Sequence, residues 1–409
     1  MEHSHHSNYY KKIIVALVLG WVAIWIYRTI LTPIYPQLSD ALGGASNSEL
    51  GLIASVYFFT YTGMQIPSGI LVDKFGQKTV LIPAFIGFAL ATFVIGTSTS
   101  LLQVYLGAGL AGISTGSYYG AAFSLSAKHV PTHFKSTANA IINSGSALGM
   151  VIGLVGASVL VGALDIQWNF MLYGTGIIIL AVTLIFFLLI RSDKDVREQS
   201  IATETTNEVI ENDTKVQLFT VKHLVTYFTY FAVCYGYYMI VTWLPAFLVN
   251  EKNFEQGSVG YVAAIVAITA IPGALFFSRF VDKNPEARNK TIVFLLLLSS
   301  IMIGLTVFSP TPLVLYIALV LYGLLGKLAI DPVLITFVSD SVPQHSVAKA
   351  LTIFNTFGMA SSVIAPWLTG LIGDLTGSQV IAFYIGSALL FVAFLLFLFI
   401  VSGKKEQHA

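Results

Sequence analysis

Three charged residues stand where the surrounding chain is apolar. Arg28 lies inside the run Ile13–Gln37, and Lys327 and Asp331 lie inside the run Leu313–Val338. A guanidinium, ammonium or carboxylate in hydrocarbon needs a partner or a water-filled cavity, and membrane proteins keep such groups mainly on substrate, ion and proton pathways. Arg28 has the chemistry to hold an anion. Lys327 and Asp331 are four residues apart, so they share one helix face about one turn from each other. They can neutralise each other and brace their helix against a neighbour, or Asp331 can trade its partner for a proton; the residues themselves leave both open. The three charges sum to +1, which suits a monoanion. Pro332 follows Asp331 directly, and a proline inside a helix removes a donor and clashes with the preceding turn, which predicts a kink there.

The elements that position these residues follow from composition. The chain of 409 residues is 56% hydrophobic and 10% charged, where a soluble domain carries about 25% charged residues. It is therefore expected to be an all-α membrane protein. The single cysteine, Cys234, rules out a disulfide framework and a cysteine-based metal site. No phosphate loop of the G-x-x-x-x-G-K-[ST] kind and no cluster of metal ligands stands out, so neither ATP hydrolysis nor a cofactor is expected. His3, His5 and His6 could bind a metal, but they read first as part of a short polar tail. The first apolar run is too long for a cleavable signal peptide and lacks its small-residue cleavage site.

Six runs in the first half are long enough to cross a hydrocarbon core of about 30 Å: Ile13–Gln37, Leu50–Val72, Thr79–Thr97, Leu101–Leu125, Ser136–Val161 and Trp168–Ile190. A polar stretch, Arg191–Lys222, separates them from six more: Leu224–Val249, Ser258–Phe280, Thr291–Ser309, Leu313–Val338, Ala350–Leu371 and Val380–Val401. Backbone amides in lipid need internal partners, so each run is read as a helix, giving twelve. Of 21 Lys and Arg residues, eighteen fall on one side of these spans, only Lys252 falls on the other, and two lie inside. Basic residues stay on the cytoplasmic side, which puts both termini and the central loop there.

The halves repeat. Gly69–Lys78 after span 2 is echoed by Gly273 and Ser278–Lys283 after span 8, with Asp73 and Asp282 209 residues apart. Val130-Pro131-Thr132-His133 after span 4 is echoed by Val342-Pro343-Gln344-His345 after span 10, with the prolines 212 apart. The expected organisation is a six-helix bundle over 1–190, a cytoplasmic loop over 191–222 and a second, pseudo-symmetric six-helix bundle over 223–409.

The Gly69–Lys78 segment resembles the loop signature of the major facilitator superfamily, G-x-x-x-D-[RK]-x-G-[RK]-[RK], with Gln77 in place of one basic residue. Tyr27-Arg28, Pro36, Gly51, Tyr61, Gln65–Gly69, Asp73, Trp243-Leu244-Pro245, Pro366, Gly370, Asp374, Thr376 and Gly377 further resemble its anion:cation symporter branch. The resemblance implies a secondary active transporter in the cell membrane. It would move a small organic anion, often a carboxylate, by alternating access with H⁺ as coupling ion. Spans 1, 4, 7 and 10 would line the cavity, and Arg28 would contact substrate. There are departures: Thr115 and Ala108 stand where many members carry a glutamate and an arginine in span 4, and Lys327 and Asp331 are not marks of the branch.

On this reading Arg28, Lys327, Tyr119, Tyr235 and Tyr238 are the candidate substrate residues, Asp331 the candidate proton carrier, and Asp73 and Asp282 candidate gate residues at helix ends. Tyrosines offer apolar faces with a hydrogen-bonding tip, although an interfacial belt would also use them. Asn139, Asn143 and Asn355 read as polar contacts between helices, and the glycines of spans 4 and 5, spaced by four, as close-packing faces. The expected partners are the small organic anion, H⁺ and the lipid bilayer, with no nucleic acid and with the protein as a monomer. Two other readings stand beside this one: efflux of drug-like or zwitterionic compounds, and a membrane sensor that binds without net transport.

Overall fold

The computed structural model describes residues 2–131, 135–191, 218–343 and 346–402, except for the side chains of 2–8, 73, 123, 127, 135–137, 139, 140, 348 and 402. The described chain consists of helices joined by short turns and loops, with no strand among the described residues. This is what lipid demands of a backbone with no water to bond to.

In the first half α1 (Glu2–Ile30) leads through a short 3₁₀ turn, Thr32–Ile34, into α2 (Tyr35–Ala41). Then come α3 (Asn47–Phe75), α4 (Gln77–Gly96), α5 (Leu101–Gly116), α6 (Tyr118–His129), α7 (Lys135–Ala157, ending in a π-helical turn at Ser158–Ala163) and α8 (Trp168–Leu189). The second half holds α9 (Val221–Lys252), α10 (Val259–Lys283), α11 (Arg288–Phe308), α12 (Pro312–Leu325), α13 (Lys327–Asp340), α14 (Val347–Thr376) and α15 (Val380–Leu396). Among the described residues ten helices or joined helices are long and apolar enough to cross a membrane. The 29-residue α3 and the consecutive pair α5–α6 supply the other two passes of a twelve-span protein.

The helices gather into two compact units. One contains Met1–Ile30, Val56–Gly153 and Ile166–Lys215; the other contains Leu31–Ser55, Leu154–Asp165 and Val216–Ala409. The division cuts α3 and α7 within their length, so one end of each belongs with the second half of the chain.

In the first unit the core is aromatic. Phe85 lies 4.8 Å from Phe186 and 5.5 Å from Tyr118, whose ring meets Trp21 edge-on at 5.1 Å. The Tyr118 hydroxyl donates to the Leu17 carbonyl. The glycine spacing in α7 has the expected use: Gly145, Gly149 and Gly153 lie against the carbonyls of Val18, Val22 and Ile26, the matching four-residue series on α1.

In the second unit, helix ends are satisfied by distant residues. The Asp374 carboxylate accepts from the backbone N–H groups of Asn47 and Ser48, both at 2.8 Å, and so completes the first turn of α3. A carboxylate placed there meets unbonded amides and the positive end of the helix dipole. The Ser158 hydroxyl does the same for α10, accepting from Gly260 N–H at 2.8 Å. Both helices are the second span of their half, so the repeat uses one device twice. Next to the Asp374 cap, the Trp243 indole donates to the Pro366 carbonyl at 2.8 Å, and Gly51 and Gly370 let α3 and α14 approach at backbone distance. Glu251 accepts from Ser378 and from the Gln379 amide at the start of α15, while Lys252 donates to the carbonyls of Val307 and Ser309 at the end of α11.

Removing the Asp374 cap leaves two helix N–H groups without this acceptor, a loss of about 1–2 kcal/mol. Asp374→Ala is expected to lower the melting temperature of the purified protein, with Asp374→Asn falling between. A melting temperature equal to that of the parent in both variants would show that the cap carries no stability.

Candidate functional site

Arg28 stands near the middle of the apolar stretch Tyr9–Ala41. Trp21, Trp25 and Arg28 are spaced four and three residues apart, which puts them on one face of α1. Tyr57, Phe58 and Tyr61 from α3 meet that face. The guanidinium carbon lies 4.7 Å from the Tyr61 ring centre, 5.0 Å from Trp25, 5.3 Å from Tyr57 and Phe58, and 6.0 Å from Trp21. Ring faces carry negative potential, and each such contact contributes about 0.5–2 kcal/mol, more where water is excluded. The rings thus replace part of the hydration that the cation gave up.

A hydrogen-bonded chain orients the same group. Arg28 Nε donates to the Tyr57 hydroxyl at 2.9 Å, and that hydroxyl is 2.8 Å from Thr115 Oγ1 on α5. Thr115 donates back to the Ala111 carbonyl at 2.8 Å. Tyr119 is 52% exposed and its ring meets Trp21 edge-on at 6.3 Å, so Arg28 and Tyr119 share a neighbour.

Lys327 and Asp331, in the second unit, form an ion pair through Nζ and Oδ2, with side chains 12% and 17% exposed. The other carboxylate oxygen, Oδ1, is buried with no hydrogen-bond partner among the described residues. The Lys327 ammonium lies 5.4 Å from the Tyr237 ring centre and 5.9 Å from that of Tyr230.

The structure places an interruption at Gly326, between α12 and α13, six residues before Pro332, and α13 continues through Pro332. Gly326 takes an extended conformation (φ −78°, ψ −150°), and a Cβ there would lie 2.5 Å from the Tyr322 carbonyl. A glycine accepts the break without a side-chain clash, and α13 then restarts on Lys327 with Pro332 in its second turn. The first half has its counterpart at Ser117, between α5 and α6. Ser117 and Gly326 are 209 residues apart, the same separation as Asp73 and Asp282.

The remaining sequence candidates are placed as follows. Tyr238 contacts Met359 Sδ at 3.9 Å and touches Tyr237 edge-on at 5.4 Å, which brings it to the Lys327 group at one remove. Tyr235 is buried, with its ring 6.1 Å from Phe231. Asp282 is exposed at the end of α10 and makes no bond to a described residue; the ion pair at that end joins Arg288 and Asp340 at 2.6 Å. Asn143 and Asn355 are exposed. The side chains of Asp73, Asn139, His3, His5 and His6 and the whole of His133 and His345 lie outside the described part.

Tyr57, Thr115 and the ring set around Arg28 were not among the candidates. The signal for the rings was present, since Trp21, Trp25 and Arg28 share helical spacing, as do Tyr57 and Tyr61. The pairing of α1 with α3 and α5 had no signal in spacing at all.

A family model described as Major Facilitator Superfamily matches residues 17–366 and 287–409. The chain is 28% identical over 400 residues to the probable galactarate/D-glucarate transporter of Escherichia coli (strain K12), covering 88% of this chain and 87% of that one. It is 24% identical over 371 residues to a putative tartrate transporter of Agrobacterium vitis, covering 86% and 84%. Among solved structures, a bacterial homolog of the human lysosomal transporter Spinster, in an inward-facing and occupied conformation, has a TM-score of 0.77 at 15% identity over 96% of each chain.

Breaking a buried ion pair from one side strands the other charge and costs about 3–5 kcal/mol, whereas replacing both partners by apolar groups is close to neutral. Lys327→Met is therefore expected to destabilise the protein strongly, and Lys327→Met/Asp331→Leu to recover most of the loss. Thermal unfolding of the two variants checks this; equal losses would show that Lys327 does not serve to neutralise Asp331.

Proposed function

The chain belongs to the Major Facilitator Superfamily, and on that premise we propose that it moves a small organic anion, a hydroxylated carboxylate such as an aldarate or tartrate, by alternating access. It is a multi-pass membrane transporter and not an enzyme.

One observation carries the choice of an anion: a permanently charged guanidinium held among five rings in the middle of a membrane-spanning stretch. Arginine is always protonated, and its planar fork matches a carboxylate with two parallel hydrogen bonds. The relatives support the same reading, since two of them are named for sugar diacids and tartrate. We assign the substrate carboxylate to Arg28.

We assign proton coupling to Asp331. The Asp331 carboxylate has one oxygen on Lys327 and the other buried with no hydrogen-bond partner among the described residues, so it has an oxygen open to a proton. Protonation would release Lys327 from the pair. Lys and Arg asymmetry supports cytoplasmic termini and insertion in the cell membrane.

Uptake of radiolabelled D-glucarate, galactarate and tartrate into proteoliposomes, with and without an inward proton gradient, tests the reading. Gradient-driven uptake of at least one diacid is expected, reduced roughly a hundredfold or more in Arg28→Ala protein that still purifies folded. No uptake of any carboxylate, or uptake indifferent to Arg28, would turn the reading toward export of aromatic or zwitterionic compounds. Asp331→Asn is expected to lose gradient-driven accumulation and keep exchange; accumulation that survives the change would remove Asp331 from the proton path.

A further inference from the structure

We propose that Thr115 is a positioning residue for the substrate, acting through Tyr57 on Arg28; this rests on the assignment of the substrate carboxylate to Arg28.

The argument is an inventory of protons. Arg28 Nε can only donate, so the Tyr57 oxygen accepts from it at 2.9 Å. Thr115 Oγ1 has one proton and three oxygens near it: the Ala111 carbonyl at 2.8 Å, the Gly112 carbonyl at 3.5 Å and the Tyr57 hydroxyl at 2.8 Å. Suppose that Thr115 gave its proton to Tyr57. Among the described residues the Tyr57 hydroxyl, on a side chain that is 3% exposed, would then have only donors as partners. A buried hydroxyl proton without an acceptor costs about 1–3 kcal/mol, so this order is disfavoured. The order that satisfies every group runs one way: Arg28 N–H to Tyr57 oxygen, Tyr57 O–H to Thr115 oxygen, Thr115 O–H to the Ala111 carbonyl.

The chain therefore ends on the backbone of α5, which does not rotate. Each acceptor fixes the proton of the group before it, and the Tyr57 oxygen so fixed orients the guanidinium through Nε. Every group beyond the guanidinium is neutral. The relay turns the cation to one orientation without cancelling its charge, which a carboxylate in Thr115's place would do. Orientation is what a two-point contact with a carboxylate requires, because both of its bonds lie in the plane of the fork.

The test uses D-glucarate uptake, with initial rates measured across concentration. Thr115→Val keeps the shape and removes the oxygen. It is expected to raise KM about tenfold with the maximal rate within a factor of two or three of the parent, and Thr115→Ser to restore the parent KM. Tyr57→Phe is expected to raise KM as well, and Tyr57→Phe/Thr115→Val to do no more than Tyr57→Phe alone, since both act through one chain. A substrate-free readout runs beside it: the ¹⁵N-resolved exchange rate of the Arg28 Nε–H in lipid nanodiscs, assigned by its absence in Arg28→Lys, is expected to rise about tenfold in Thr115→Val. An unchanged KM and exchange rate in Thr115→Val, with uptake still lost in Arg28→Ala, would overturn the role of Thr115 and leave Arg28 in place. Uptake indifferent to Arg28→Ala would remove both.

Discussion

A cation placed in hydrocarbon has to be solvated by the protein around it, and much of the first unit follows from that requirement. Five rings from two helices surround the Arg28 guanidinium, and a phenol and a threonine fix its plane. To bring those groups together, α1 has to turn its Trp21–Trp25–Arg28 face to α3. It is also held to α7 along the Gly145–Gly149–Gly153 stripe on another side. The aromatic core below, with Phe85, Tyr118 and Phe186, keeps Trp21 in place from behind.

The second unit treats its charge differently. Lys327 meets Asp331 on the same helix, one turn away, immediately after a break at Gly326. The two halves of the chain thus share a scaffold, down to an interrupted helix at equivalent positions, while the chemistry placed on it differs. Rings attend both cations, but neutral hydroxyls complete one setting and a carboxylate the other. A neutral setting keeps the field of the cation available to an arriving anion, whereas a paired one makes its availability depend on the state of the partner.

Much of the architecture was legible in the sequence because lipid restricts the choices. Long apolar runs can only be helices, and the spacing of Asp73 and Asp282 showed that the chain repeats. Arg28, Lys327 and Asp331 were legible for the same reason, since a charge inside such a run stands out. The partners were not. Spacing tells which residues share a face of one helix; it does not tell which helix that face will meet, so Tyr57 and Thr115 stayed hidden. The interruption of this span was hidden too: it lies at Gly326, where the backbone leaves the helix without a side-chain clash, and a lone glycine in an apolar run gives no such warning.

The cap on α3 bears on the order of events during synthesis. Asp374 follows Asn47 by 327 residues. At roughly 5–20 residues per second, a ribosome adds that stretch in roughly 15–65 s. For that interval the first turn of α3 is made without its distant carboxylate, and the Asn47 and Ser48 amides lack the acceptor they have in the folded chain. The nascent first half therefore waits with one helix end unfinished until a residue of the second half reaches it.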